Sequence, residues 1–172
     1  MKKTVFILAL LVTGFINASK AQQLKDGQTL DLNGISVTFN IINKESIEVK
    51  DQSFDRYKVV ATVKNNSPKS FNVRLASASD LSAALKSKIV ELNCLNATGA
   101  RLTSKKLDVG MKAHMITVTY PGKDKDGKFV SQTMTVVAGY YFDAGQTLQS
   151  DAIFIVPKGE TPQVSVRSLL QN

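Results

Sequence analysis

Apolar and polar residues alternate with a period of two along most of this chain. In Ile35–Ile41 every second residue is apolar, which is the pattern of a strand with one buried face. Tyr57–Val63 and Phe71–Leu75 repeat the pattern on either side of Asn65–Pro68, where Asn and Pro favour a turn. The sequence therefore predicts a strand in each segment, the last two as neighbours, with odd-numbered residues facing the core.

Runs rich in β-branched residues predict further strands in the second half of the chain. Met115–Tyr120 and Phe129–Tyr141 flank Pro121–Lys128, which contains an Asp-Gly pair, so we expect a long hairpin. The apolar residues of its first strand fall on one face, at Ile116, Val118 and Tyr120. After a turn at Asp143–Gly145, two last strands are predicted over Leu148–Val156 and Pro162–Leu169.

One segment has a helical period instead. Its apolar residues lie at positions i, i+3, i+4 and i+8, namely Leu81, Ala84, Leu85 and Ile89. Ser79 or Asp80 is a suitable N-cap, so the pattern predicts a helix of one to two turns across an open end of the sheets. A strand over Lys88–Leu95 is expected to follow.

About eight short strands with one helical connection are typical of an all-β sandwich. The chain has no internal repeat and no low-complexity tract. Residues 22–32 carry little that would pack, so we expect them to form a flexible N-terminal arm. Residues 33–172 are then left as a single sandwich domain.

The N-terminus has the three parts of a secretory signal peptide. Lys2 and Lys3 are basic, Val5–Ile16 is apolar, and Ser19 and Ala21 are small residues that suit cleavage before residue 22. The apolar run is shorter than the roughly 20 residues that a membrane-spanning helix needs. We therefore expect residues 1–21 to be removed and the mature chain to be periplasmic or extracellular, without a transmembrane segment. A retained anchor is the alternative.

Loss of the signal peptide changes the charge of the chain. Removal of Lys2, Lys3 and Lys20 leaves 19 basic and 14 acidic residues, a net charge of +5 in place of +8. A mature chain of about 150 residues suits one domain. The only cysteine, Cys94, cannot form an internal disulfide, and its apolar neighbours predict a small buried residue in a monomer. A reactive or intermolecular thiol is the alternative.

The order of these segments resembles a group of exported bacterial immunoglobulin-like domains of unknown function, the fold group that includes a mycobacterial immunogenic secreted protein. Three segments carry the resemblance: the strand and turn Val59–Pro68, a looser Asn-x-x-Gly match in Leu95–Gly99, and Gly145 followed by Phe154–Pro157. The resemblance implies an immunoglobulin-like antiparallel β-sandwich of about 7–9 strands with one short helical insertion. It implies a role in interaction or adhesion and no particular activity.

Candidate catalytic and metal-binding residues are few. His114 is the only histidine, and no Gly-x-Ser-x-Gly motif surrounds a serine. Zinc and copper sites need several His or Cys, and lysines flank the calcium-loop-like Asp124–Gly127. We therefore predict no enzyme, cofactor or metal site. Two acidic pairs leave open a small glycan-acting hydrolase, which needs two carboxylates. They are Asp51 with Asp55, and Asp143 with Asp151.

Basic residues in the predicted loops form a candidate anion-binding surface: Lys105, Lys106, Lys123, Lys125 and Lys128. Lipopolysaccharide or an acidic glycan would bind there if the loops lie together, whereas a solvated surface that maintains solubility is the alternative. Export argues against a nucleic acid partner. The sequence thus predicts a non-enzymatic binding module of the cell envelope or extracellular space, whose partner is an unknown protein or an anionic glycan. An inhibitor of exported proteases stays open, and a protruding loop would favour it.

Overall fold

The computed structural model describes residues 22–77 and 80–170. The predicted signal peptide and Ser79 lie outside the described residues. No helix in the described part is long and apolar enough to cross a membrane. The elements are β1 (Gln22–Leu24), β2 (Thr29–Asp31), β3 (Ile35–Val49), β4 (Gln52–Asn65), β5 (Phe71–Arg74), α1 (Leu81–Lys86), β6 (Lys88–Leu95), β7 (Arg101–Gly110), β8 (Lys112–Lys123), β9 (Phe129–Phe142), β10 (Thr147–Pro157) and β11 (Gln163–Ser168).

These strands form three antiparallel sheets, which confirms the all-β prediction. Sheet A has the order β1-β11-β6-β7, sheet B the order β10-β4-β3-β2, and sheet C the order β5-β9-β8. Strand β7 of sheet A lies against β10 and β4 of sheet B. One cluster of buried apolar side chains takes residues from all three sheets, so the sheets share a single core.

The predicted alternation in β3 and β4 is confirmed. Val37 and Phe39 of β3 and Val59, Ala61 and Val63 of β4 are fully buried, and Val37 pairs in register with Val63 while Phe39 pairs with Ala61. The Phe39 ring stacks on Phe154 of β10 at a centroid distance of 6.3 Å. Burial of apolar area on this scale is the main source of the domain's stability.

The two strands that flank Asn65–Pro68 do not pair with each other. Strand β5 belongs to sheet C and pairs with β9, whereas β4 belongs to sheet B. The buried Asn65 side chain is the physical reason, because its amide donates to the carbonyl oxygens of Lys69 at 2.7 Å and Phe142 at 3.4 Å. These bonds hold the turn against β9, so the chain leaves one sheet and enters another.

Residues 22–32 are paired rather than loose, which corrects the expectation that they have little reason to pack. Leu24 is buried and pairs with Val164 of β11, and β2 pairs with β3. The Asp26 carboxylate also accepts a hydrogen bond from the Ile41 backbone N–H at 2.7 Å. All of these partners are distant in sequence, so local pattern could not reveal them.

The short helix was predicted correctly but its buried face was not. Asp80 caps α1, and its carboxylate accepts hydrogen bonds from the backbone N–H groups of Ser82 and Ala83 at 3.1 and 3.2 Å. Ala83 is 1% exposed, whereas Leu85, which was expected to face the core, is 68% exposed. Ile89, the last member of the predicted stripe, is buried, but it belongs to β6 because α1 ends at Lys86. Strand β6 itself occupies Lys88–Leu95 as predicted.

Candidate functional site: the arm of sheet C and the groove at its base

A two-stranded arm, residues Met115–Val137, is the first feature of interest. Strand β8 pairs with β9 over its whole length, but β5 pairs with β9 only from Gly139 to Phe142. Beyond Gly139, β8 and β9 have no other strand beside them in the described part of the chain. The arm is therefore a ribbon with two free edges.

The arm is longer than predicted because β8 continues through Pro121 and Gly122 to Lys123. At the tip, the Asp124 N–H donates to the Lys128 carbonyl oxygen at 2.9 Å, so it points inward across the hairpin. Backbone N–H groups alternate in direction along a strand, so position 121 points outward from the edge. A free edge tolerates proline at such a position, since no ladder hydrogen bond is lost there.

The two faces of the arm differ in chemistry. One face is mostly apolar, as predicted for β8: Ile116 pairs with Val136, Val118 with Met134 and Gly122 with Val130, whereas Tyr120 pairs with the polar Gln132. The other face carries two cross-strand threonine pairs, Thr117 with Thr135 and Thr119 with Thr133. At the tip Phe129 is 79% exposed, with the Lys123 ammonium 5.1 Å from its ring centroid.

Apart from Lys123 at the tip, no charged side chain protects the free edges of the arm. Residues 113–122 of β8 and the whole of β9 contain no Asp, Glu, Lys or Arg. Natural proteins usually place lysines, prolines or bulges on exposed edge strands to prevent pairing with other chains. The arm has Pro121 and Lys123 at its distal end, and the β8 edge carries no proline or charged residue from Met115 to Tyr120.

A groove of about 760 Å³ lies at the base of the arm. Its floor is made of two rows of residues that cross sheet C on one face. Tyr141 of β9 pairs with Asn72 on one side and Lys112 on the other. In the next row, Gly139 pairs with Arg74 and His114. Three strands thus bring an amide, a phenol, an imidazole and the Arg74 guanidinium into the groove, while Lys112 lies beside Tyr141 and outside the lining.

Close backbone packing shapes this groove. A Cβ at Gly139 would lie 2.6 Å from the Val73 carbonyl oxygen, so only glycine lets β5 approach β9 here. Beside it, the β8–β9 register shifts between His114 and Met115, which leaves Ala138 as an extra residue of β9. Bulges of this kind bend a strand and often lie next to functional sites. The bulge marks where the groove ends and the arm begins.

Two side chains contact the Tyr141 ring in the groove. The Lys112 ammonium lies 5.9 Å from the Tyr141 ring centroid, within cation–π range. His114 approaches the same ring edge-on, with 6.4 Å between centroids and 75° between planes. Arg74 makes no hydrogen bond or ion pair among the described residues, so its guanidinium is available to a ligand.

The five predicted anion-binding lysines are divided between two sheets. Lys105 and Lys106 were expected in a loop but belong to β7, where Leu107 is buried. The Lys106 ammonium binds the Glu91 carboxylate at 3.3 Å and lies 3.7 Å from Asp108, while the Lys105 side chain lies outside the described part. Burial alone would raise the pKa of Glu91. Hydrogen bonds from Asn93 and Lys106 act in the opposite direction and outweigh it, so the pKa is lowered.

The remaining predicted lysines stand together at the arm tip. Lys123 ends β8, Lys125 is in the turn, and Lys128 precedes β9. None of the three forms an ion pair within the described residues. Lys106 belongs to sheet A and Lys123 to sheet C, so the predicted lysines are not carried by one sheet.

The predicted acidic pairs have different surroundings. Asp55 is buried, and its carboxylate is bound by the Lys44 ammonium at 2.8 Å and the Gly159 N–H at 2.8 Å. These contacts lower the pKa of Asp55 to about 2. Asp51 is exposed at the β3–β4 turn. Of the four acids, Asp143 alone lines the groove. The described residues contain no group of three or more His, Cys, Asp or Glu that could hold a metal ion.

Sequence reasoning missed most of the groove residues. The alternation in β5 does place Asn72 and Arg74 on the outward face, and that signal was visible. Nothing local indicated that Tyr141 and Lys112 would lie beside them, because the three strands are far apart in the chain. Comparison with known proteins finds no matching family model, no similar curated protein and no similar solved structure.

Proposed function

We propose that this chain is an exported, non-enzymatic interaction module that binds a protein partner through its arm. The basic, apolar and small-residue parts of residues 1–21 support export to the cell envelope or extracellular space. Three antiparallel sheets around one core support an immunoglobulin-like sandwich as the framework. The motifs behind the resemblance are compatible with this framework. Strand β4 ends at Asn65, where the turn motif begins, and Phe154–Pro157 forms the end of β10.

The single observation that carries the proposal is the free, uncharged edge of β8. A two-stranded ribbon is at best marginally stable in water, and exposed apolar patches usually mark contact sites. The apolar face of the arm exposes Ile116, Tyr120 and Met134, and neither strand carries a charged residue beside them. A partner that covers this surface would remove apolar area from water and pair the open backbone groups.

The size of the arm favours strand addition over flat contact. Met115–Lys123 spans about 30 Å at roughly 3.4 Å per residue, and two strands are about 10 Å wide. One face therefore offers about 300 Å², below the roughly 800 Å² that each partner buries in a stable interface. An extended segment that pairs with β8 adds backbone hydrogen bonds and contacts both faces, as in other complexes formed by strand addition.

The alternating backbone directions provide a sharp test. The Thr119 N–H points outward, because it lies two residues before Pro121 on the same edge. Thr119→Pro therefore removes a donor from the free edge and leaves the β8–β9 ladder intact, whereas Thr119→Ala keeps the donor. A photo-crosslinking amino acid at Thr117 would report the partner in the native envelope and culture medium.

We expect a discrete protein adduct with the Thr119→Ala chain and its loss with Thr119→Pro. Equal adducts from the two variants would rule out strand addition on this edge. A crosslinker placed at Lys58, on the outer face of sheet B, is the matched control for random encounter. If Thr117 and Lys58 give the same adducts, the arm is not the contact element.

The protruding tip favours an inhibitor of exported proteases as a second candidate. The turn Asp124–Lys128 is held by the Asp124 N–H and carboxylate, which bond the Lys128 carbonyl and N–H at 2.9 Å each. A fixed loop with an exposed Lys125 could occupy the cleft of a protease that cleaves after basic residues. Inhibition that persists on long incubation and is lost in Lys125→Gln would support this role. Rapid cleavage at the tip would refute it.

A further inference from the structure

The groove at the base of the arm is larger than a single ion requires. Its volume of about 760 Å³ is typical of small-molecule sites, which range over about 300–1,000 Å³. A second hollow of about 450 Å³ adjoins it across β5, since Asn72 and Arg74 line both, and Lys86 lines the second. A ligand that fills this space is larger than a free anion.

The cation of the groove indicates a negatively charged group on that ligand. Arg74 has a guanidinium without partners among the described residues, and the His114 imidazole, a further hydrogen-bonding group, lies across Gly139 from it. A guanidinium binds carboxylate or phosphate through two parallel N–H donors. No side chain projects between Arg74 and His114, because residue 139 is glycine.

The uncharged side chains of the lining indicate that the rest of the ligand is polar. The Asn72 amide donates and accepts hydrogen bonds, and the Tyr141 hydroxyl does the same. The Tyr141 ring also offers an apolar surface of the kind that packs against the C–H face of a sugar. Hydroxyl groups on a saturated ring would satisfy these donors and acceptors, whereas a purely apolar body would leave them unpaired.

We infer that this groove binds an anionic saccharide, a sugar ring that carries a carboxylate or a phosphate. Arg74 binds the anion, Tyr141 packs against the ring, and Asn72 and Asp143 bond its hydroxyls. Asp143 is the one carboxylate among the residues that line the groove. Hydrolysis of a glycosidic bond uses two carboxylates, so this lining suits binding. The inference is independent of the protein partner proposed for the arm.

Four probes test the ligand class by calorimetric or NMR titration of the mature chain. They are tri-galacturonic acid, its uncharged trimethyl ester, glucose 6-phosphate and inorganic phosphate. We expect at least one charged sugar to bind at least about tenfold more tightly than the ester and inorganic phosphate do. The tighter of the two charged sugars identifies the anion. Failure of both to bind, or equal affinity for the ester or inorganic phosphate, would overturn the inference.

Variants test the location of the site. Arg74→Gln should weaken binding at least about tenfold, and its melting temperature should be unchanged because Arg74 has no partners to lose. Arg56→Gln, which removes an exposed arginine from sheet B, is the matched control. Equal affinities of these two variants would overturn the inference. A triple Lys123, Lys125 and Lys128 to Gln variant should bind normally, and loss of binding there would place the anion at the tip instead.

The two proposals fail separately. Thr119→Pro, which tests the arm, should leave saccharide affinity unchanged. Arg74→Gln should in turn leave the protein adduct at Thr117 unchanged. A saccharide affinity that falls in Thr119→Pro would show that the groove does not act alone, and it would overturn the inference as stated.

Discussion

Replacement of Asn65 by alanine removes a buried amide that joins sheet B to sheet C. The side chain is fully buried at the end of β4. Its Nδ2 donates to the Lys69 carbonyl at 2.7 Å and to the Phe142 carbonyl at 3.4 Å. Its Oδ1 accepts from the Ser67 hydroxyl at 2.7 Å and from the Ser67 N–H at 3.1 Å.

The expected loss of stability follows from these contacts. Each lost hydrogen bond costs about 0.5–1.5 kcal/mol, and a buried group left without a partner costs about 1–3 kcal/mol. Two short bonds and one ordinary bond, with the long contact to Phe142 discounted, give about 2–4 kcal/mol. That is a large part of the roughly 5–15 kcal/mol that holds a domain folded. The melting temperature should fall by about 4–16 °C.

Urea unfolding of the mature chain measures this loss, and the exposed neighbour Asn66 supplies the control. Asn66→Ala should change the free energy of unfolding by less than about 0.5 kcal/mol. Asn65→Asp keeps the acceptor but turns a second oxygen towards two carbonyls. Its deficit should therefore shrink as the pH falls and the carboxyl becomes able to donate. If Asn65→Ala and Asn66→Ala agree within about 0.5 kcal/mol, the buried amide does not hold the turn as described.

Three further predictions concern the core. Burial raises the pKa of Cys94 to about 11, so the thiol should react slowly with an alkylating reagent in the native protein and rapidly in urea. Fast labelling of the native protein, or a disulfide-linked dimer, would contradict this prediction. The pKa of Asp55 is lowered from 3.8 to about 2 by Lys44 and the Gly159 N–H, so its contribution to stability is complete above pH 3.8 and is lost as the pH falls towards 2. Asp55→Asn should flatten that part of the acid unfolding profile, and an unchanged slope would refute the assignment. Val63→Asp should cost several kcal/mol, whereas Lys64→Asp should cost less than about 0.5 kcal/mol in the same melts; equal shifts would contradict the assigned faces.

The sequence by itself determined the elements whose information is local. Alternation located β3 and β4, and Asp80 fixed the start of α1 through its own side chain. The period of two in β8 also placed Ile116, Val118 and Tyr120 on one face. These features depend on residues within a few positions of one another, where backbone geometry alone couples sequence to structure.

Tertiary structure decided everything that depends on which strands lie side by side. The turn predicted at Asn65–Pro68 does not determine whether the next strand returns to the same sheet. Strand β5 pairs with β9 because the buried Asn65 amide holds the turn there and Gly139 allows the close approach. The groove needed Asn72 and Arg74, His114, and Tyr141 from three separate strands. The arm is exposed because β5 stops at Arg74, a boundary that no pattern in β8 or β9 encodes. Strand pairing joins residues across long stretches of chain, so it is set by the packing of the whole domain rather than by any single segment.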